Sequence, residues 1–199
     1  MYARLDSPAA RARQARDDGF EHIDPLVGTD PAALALPIGC PTAFPRPQAG
    51  WCSTPAPADG PGRWDKTVER FRAAPGCLME PWAGSVVGST ERVFAMLEAV
   101  PGLELLVDTG HVSDWGGDAL ELLPYARHVQ LRQGMAASTQ LHVDDPRGVV
   151  DFAAVVECLV GLEYGGLCSV EYFDLPEQGW PLVDPRAWAV DLAAHLRAL

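Results

Sequence analysis

Four apolar residues, Leu103, Leu105, Leu106 and Val107, run straight into Asp108-Thr109-Gly110-His111. A short amphipathic stretch then leads to a second apolar run, Ala126 to Leu131. A continuous apolar run that stops at an acid, a glycine and a histidine has the signature of a strand buried on both faces, with polar side chains delivered at its carboxyl end. That end is where parallel α/β barrels keep their chemistry.

The same grammar recurs on either side. Cys77-Leu78-Met79 ends in Glu80-Pro81-Trp82, His128-Val129 leads to Gln130, and Leu167-Cys168-Ser169-Val170 ends in Glu171-Tyr172-Phe173-Asp174. Each candidate strand is followed by a helical pattern, and each interval accommodates one βαβ crossover of about 30 residues, the last with a longer loop. Four successive parallel strands would then each present one oxygen-bearing side chain at the same end.

The flanking chain supplies further elements. Ser7-Pro8 opens a helix to about Asp18, with Ser as N-cap and Pro at N1, and Gly19 stops it. Phe20 to Leu26 reads as a strand ending in Asp24-Pro25. Met1 to Leu5 sits where a first strand would lie, Asp30-Pro31 can start a short helix through Leu34, and Leu36 to Cys40 is a third strand. From Pro41 to Gly62 the chain is rich in Pro and Gly and holds no helical period, so one βα unit is expected to shrink to an irregular loop. Helices are expected over Arg63 to Ala74, from a Ser89 cap onward, over Asp118 to Tyr125, over Val150 to Leu162, and from Asp184-Pro185 through Leu196.

At 199 residues with 48% apolar content the chain is long enough for one domain spanning 1–199 with a real core. It is short for an eight-fold barrel, which typically takes about 250 residues. A net charge of −12 without any basic run argues against a nucleic-acid partner. The odd cysteine count, Cys40, Cys52, Cys77, Cys158 and Cys168, with no CxxC spacing, supports neither a disulfide framework nor a zinc ribbon; buried free thiols in a reducing cytosol are expected. Arg4, Arg11, Arg13 and Arg16 break up the N-terminal segment without an apolar core, and no run approaches membrane-spanning length, so a cytoplasmic protein without a membrane partner is expected.

The pieces LLVDTGH, ARHVQLR, GLCSVEYF and CLMEPW resemble the second half of the xylose isomerase-like barrels, the superfamily of sugar isomerases, epimerases and endonuclease IV-like proteins. The likeness runs from about Gly76 to Leu199, with an echo in ARDDGFEHIDPL. It implies an α/β fold, a compact (β/α)8 TIM barrel of the xylose isomerase-like type with a shortened first half that leaves the barrel's completeness open. It also implies one metal held by Glu80, Asp108, Gln130 and Glu171. Gln rather than His at the third position is most similar to the hydroxypyruvate isomerase branch. By the same resemblance Glu80 and Glu171 double as the acid/base pair, and His111 hydrogen-bonds a substrate oxygen. Asp24 takes the place of an early family acid, with a structural or supporting role equally open. Where endonuclease relatives carry an Asp-x-His metal pair, this chain has Gln140 and His142, and no His lies between His22 and His111, so a multi-metal nuclease centre is not expected.

An oxygen-only donor set favours Mn²⁺ or Mg²⁺, with Co²⁺ or Zn²⁺ able to occupy it. The use of such an ion is to chelate an α-hydroxy carbonyl and stabilise an enediolate while a carboxylate moves a proton. Arg132, Trp82 and Trp115 flank the ligand positions as candidate substrate-binding groups, with a solvated arginine and ordinary aromatic packing as the alternatives; Arg147, Tyr172 and Phe173 stand beside them. The function expected is a divalent-metal-dependent isomerase or epimerase of a small keto-sugar, polyol or hydroxy-keto acid. A lyase, dehydratase or cyclase on the same site, or a non-catalytic metabolite-binding barrel, remains the alternative. A homo-oligomer is compatible with either.

Overall fold

The computed structural model describes residues 7–25, 29–30, 34, 36–42 and 49–199. The strand expected at 1–5 and residues 31–33 of the short helix expected after Asp30 lie outside the described residues. Five parallel strands form one sheet in the order β1 (Cys52–Ser53), β2 (Leu78–Met79), β3 (Glu104–Asp108), β4 (Ala126–Leu131) and β7 (Cys168–Val170). Single parallel bridges, Thr42 to Cys52 and Ile23 to Ile38, extend the sheet beyond β1. His22 Nε2 then meets Ser169 Oγ at 2.8 Å, which brings the Ile23 segment back against β7 and curls the sheet toward closure.

Helices cross over between these strands. α1 (Pro8–Asp17) is capped by Ser7 with Pro8 in its first turn, and α2 (Arg63–Arg72) precedes β2. α3 (Thr90–Ala99) starts where the Ser89 hydroxyl accepts the amide of Arg92. α5 (Phe152–Gly161) and α6 (Pro185–Arg197) start on Asp151 and Asp184 in the same way. Such caps answer amide groups that the first helical turn leaves without partners.

Side chains on a strand alternate between faces, and here the alternation divides two cores. Met79, Leu105, Val107, Val129 and Leu131 join Val93, Met96, Phe152, Val155 and Leu192 in the layer between strands and helices. Leu78 and Leu106 face the other way, where they pack with Cys40 and Cys52 inside the curled sheet. On the same inward face the next positions along each strand are polar: Glu80, Asp108, Gln130 and Glu171.

Several expectations are corrected. The helix expected over Asp118 to Tyr125 is two 3₁₀ turns, Ala119–Glu121 and Leu123–Tyr125, because Pro124 lacks the amide that a continuous helix needs. The strands expected at 20–26 and 36–40 shrink to single pairings at Ile23 and Ile38 among the described residues. Conversely, β1 emerges inside the stretch expected to be irregular. Two elements carried no sequence signal. β3 runs without a break into a one-and-a-half-turn helix, α4 (Thr109–Asp114), and a hairpin of β5 (Gln133–Met135) and β6 (Ser138–Leu141) packs against it. The hairpin turns at Ala137, whose φ of 62° is the left-handed conformation that Gly or Asn normally announces. Gly110 is where α4 meets that hairpin: a Cβ there would fall 2.0 Å from the Thr139 carbonyl oxygen and 2.6 Å from the Arg132 side chain.

Candidate functional site

The inward polar side chains gather at the carboxyl ends of β2, β3, β4 and β7. Asp108 and Gln130 are direct register partners, and Gln130 is in turn paired with Ser169, so the donors are set by neighbouring strands. Asp108 does two jobs at once. Its Oδ1 accepts the amides of Gly110 and His111 at 2.8 and 3.0 Å, which starts α4 and swings the His111 ring over the strand ends. Both carboxylate oxygens also accept from Arg132, Oδ1 from Nε at 3.0 Å and Oδ2 from Nη2 at 2.5 Å.

Arg132 is the feature that sequence reasoning placed wrongly in space. Its side chain is 0% exposed, and Nη2 reaches on to Glu171 Oε2 at 3.3 Å. The Thr109 hydroxyl donates to the Arg132 carbonyl at 2.7 Å and accepts its amide at 3.0 Å, while the Phe173 ring lies 4.6 Å beneath the guanidinium. The group is therefore an internal counter-ion locked by backbone, carboxylate and aromatic contacts. It does not project toward solvent as a substrate hook.

Glu80 completes the cluster from β2. His111 Nε2 stands 3.6 Å from its Oε1, and the Cys52 thiol donates to its Oε2 at 3.2 Å. One donor atom each of Glu80, Asp108 and His111 lies within 4.8 Å of the others, a grouping compact enough to hold a cation. His111, expected to address substrate, thus sits with the candidate ligands. Gln130 donates through Nε2 to Asp24, and its Oε1 is buried without a hydrogen-bond partner. A buried orphan oxygen on the strand position paired with Asp108 is what an oxygen-seeking ion would satisfy, so the residues present fit a hard divalent cation.

The electrostatics reflect crowding. Burial, reinforced by the charge of Asp108, pushes Glu80 up to about 7. Burial drives Glu171 well above the ordinary carboxylate range despite Arg132. Burial works in the same direction on Asp108, but the contacts with Arg132 and His111 outweigh it and hold Asp108 below its ordinary value. Burial also lowers His111 to about 4, so its ring is neutral at physiological pH.

A concavity opens over these groups, walled by Trp82, Phe173 and Trp180. Trp82 lines the concavity, with its indole nitrogen turned toward the Pro55 carbonyl at 3.5 Å. Trp115 is not among the lining residues; it follows α4 and packs against the main core. Trp180, reached through a bridge between Leu175 and Trp180, tilted against Phe173 and edge-on to His111, had no signal in the local sequence. Cys52 likewise entered the sequence reading only as a buried thiol.

The family model described as xylose isomerase-like TIM barrel matches residues 53–199. The chain belongs to that family. No curated protein matches the sequence significantly. Among solved structures, a 3-keto-D-glucoside 4-epimerase from E. coli superposes with a TM-score of 0.70 at 14% identity, covering 100% of this chain and 97% of that one. L-ribulose 3-epimerase superposes with 0.67 at 15% identity, covering 98% and 90%. A xylose isomerase-like TIM barrel protein from Mycobacterium smegmatis, solved in complex with magnesium, gives 0.66 at 16% identity over 97% and 88%. At these identities the likeness establishes the xylose isomerase-like α/β barrel fold. No helix among the described residues is long and apolar enough to cross a membrane.

Proposed function

We propose that this xylose isomerase-like barrel is a divalent-cation-dependent isomerase or epimerase of a small keto-sugar, polyol or hydroxy-keto acid. The observation that carries the proposal is a charge imbalance among largely buried groups. Glu80, Asp108 and Glu171 crowd one guanidinium, Arg132, so two negative charges are left over when all are ionised. A doubly charged cation matches that excess, and Gln130 Oε1 offers a neutral oxygen beside it. Mn²⁺ or Mg²⁺ suits the oxygen-rich donors, and the magnesium complex of the Mycobacterium smegmatis barrel supports the choice. When bound, the ion would supply Lewis acidity to adjacent oxygens of an α-hydroxy carbonyl.

The protein's own groups would then move protons and orient the substrate. Glu80 is pushed up to about 7 in the ion-free site, and a bound cation would lower it, which favours the carboxylate form that accepts a proton. Glu171 enters from β7, separated from β2 in the sheet by β3 and β4, and keeps 31% of its side chain exposed toward the concavity. A carbon held between them can lose a proton to one carboxylate and regain it from the other. Neutral His111 can hold a substrate oxygen or complete the ligand set without adding charge. In this assignment Arg132 holds Asp108 ionised and offsets part of the burial that raises Glu171, instead of gripping the substrate. The epimerase names of the L-ribulose and 3-keto-D-glucoside neighbours support a keto-sugar substrate. Free thiols at Cys40, Cys52 and Cys77 suit a reducing, cytoplasmic setting.

The test is incubation of ketopentoses and ketohexoses with Mn²⁺-loaded protein in deuterated water. Deuterium entering next to the carbonyl without loss of water or carbon is the expected result. Loss of water or carbon would assign a lyase instead, and absence of exchange together with no Mn²⁺-dependent rise in melting temperature would overturn the proposal.

A further inference from the structure

Beside the carboxylate cluster, and joined to it through Gln130, lies a second polar group centred on Asp24. Asp24 Oδ1 accepts the amide of Cys40 at 2.7 Å. Asp24 Oδ2 accepts both from His128 Nε2, at 2.9 Å, and from Gln130 Nε2, at 3.2 Å. His128 Nε2 also lies 3.1 Å from Ser169 Oγ, which meets His22 at 2.8 Å. Four chain segments therefore converge on one carboxylate. The backbone passes so close to it that a Cβ at Gly39 would stand 2.0 Å from Asp24 Oδ1. A cradle of this kind costs desolvation and glycine entropy, and nothing in the packing of the apolar core requires it.

We propose that Asp24 is a positioning residue: it sets the side-chain amide of Gln130 so that the carbonyl oxygen, and not the NH₂, faces the cation seat. This rests on the divalent-cation reading of the site. An amide has two ends of nearly equal shape and opposite hydrogen-bond character, so a glutamine serves as a ligand only when something chooses between them. An ionised carboxylate is acceptor-only, and with Oδ2 turned toward Gln130 it can take only the NH₂ end; the reversed amide would set two oxygens against each other. The Cys40 amide and His128 hold Asp24 ionised and in place. The opposite end of Gln130, Oε1, is buried and without a partner, on the strand position that pairs with Asp108. That orphan oxygen is the result of the choice Asp24 makes, in the manner of partners that orient ligands elsewhere.

The assay is Mn²⁺ affinity, read from the free-ion electron paramagnetic resonance signal, across wild type, Asp24→Asn, Gln130→Glu and the double variant. The asparagine introduced by Asp24→Asn can present its own NH₂ and reverse the Gln130 amide, so this variant should weaken Mn²⁺ by about tenfold or more. A glutamate at 130 has two like ends and sets one oxygen against Asp24, so Asp24→Asn made in the Gln130→Glu background should leave Mn²⁺ affinity unchanged or raise it. A purely structural role for Asp24 predicts equal losses in both backgrounds, and that result would overturn the inference, as would an unchanged affinity in Asp24→Asn. If Asp24→Asn does not fold, a wild-type crystal grown with Mn²⁺ decides through its anomalous signal. An ion ligated by Gln130 Oε1, with Nε2 still on Asp24, supports the inference. An ion without Gln130 overturns it and leaves the proposed function standing, whereas no ion at the carboxylates overturns both.

Discussion

Replacing Glu80 with Gln in the metal-free protein should raise stability at alkaline pH and leave it unchanged in acid. Glu80 ionises with an ordinary value of 4.5 when unfolded and is pushed up to about 7 in the folded chain, first by burial and then by Asp108. The folded state therefore binds the proton more tightly, and between those values stability falls as pH rises. Below the unfolded value both states are protonated and the group contributes no difference. Above about 7 the full penalty applies, about 3 kcal/mol at roughly 1.4 kcal/mol per unit. The glutamine side chain keeps the size and a donor-acceptor end without the titration, so the variant escapes that penalty. For a chain of this length about 3 kcal/mol corresponds to roughly 6–12 °C in melting temperature. The assay is thermal unfolding of EDTA-treated wild type and Glu80→Gln from pH 4.5 to 8, with the difference between the two proteins isolating this one group. Saturating Mn²⁺ should reverse the order at pH 8, because an ion that binds only the folded wild type adds stability in proportion to the logarithm of its concentration. A difference that stays flat across the pH range would refute the crowded-carboxylate picture.

Arg132→Met should be destabilising by about 3–5 kcal/mol in denaturant unfolding at pH 7, because it strands the fully buried Asp108 carboxylate without its bidentate partner; Arg132→Lys should recover little of that, since an ammonium lacks the planar fork that spans both carboxylate oxygens. Cys52→Ala removes a donor that favours the ionised form of Glu80. The pH at which Mn²⁺ is half bound should therefore move upward in that variant, and a downward or absent shift in a pH series of Mn²⁺ titrations would contradict the contact.

The parts of this protein that could be read from its residues are those decided locally. Ser7, Ser89 and Asp184 announce helix starts through side-chain oxygens placed where the first turn lacks acceptors, and all three caps are present. The period-two alternation of Leu105, Leu106, Val107 and Asp108, or of His128, Val129 and Gln130, assigns each residue to one side of the sheet without knowledge of its neighbours. Together with the crossover-length intervals between the apolar runs, that places Glu80, Asp108, Gln130 and Glu171 at the ends of parallel strands. The α4 turn and the β5–β6 hairpin escaped because nothing nearby marks them: α4 starts on an acid already assigned to a strand, and the hairpin turns on alanines.

What touches what across the interior was decided only by the tertiary structure. Arg132 is two residues beyond Gln130, so alternation puts both on the inward face, and whether its guanidinium reaches solvent or Asp108 depends on how β3, β4 and β7 are staggered. Stagger is a collective property of the curled sheet, fixed by how the helices pack outside it and by the approach that Gly110 permits. For the same reason Asp24 could be named from the sequence but not linked to Gln130, 106 residues away along the chain and 3.2 Å away in space. Residue type and periodicity determine which groups point inward; the shared curvature of the strands determines which of them meet, and so where the charge imbalance that calls for a cation arises.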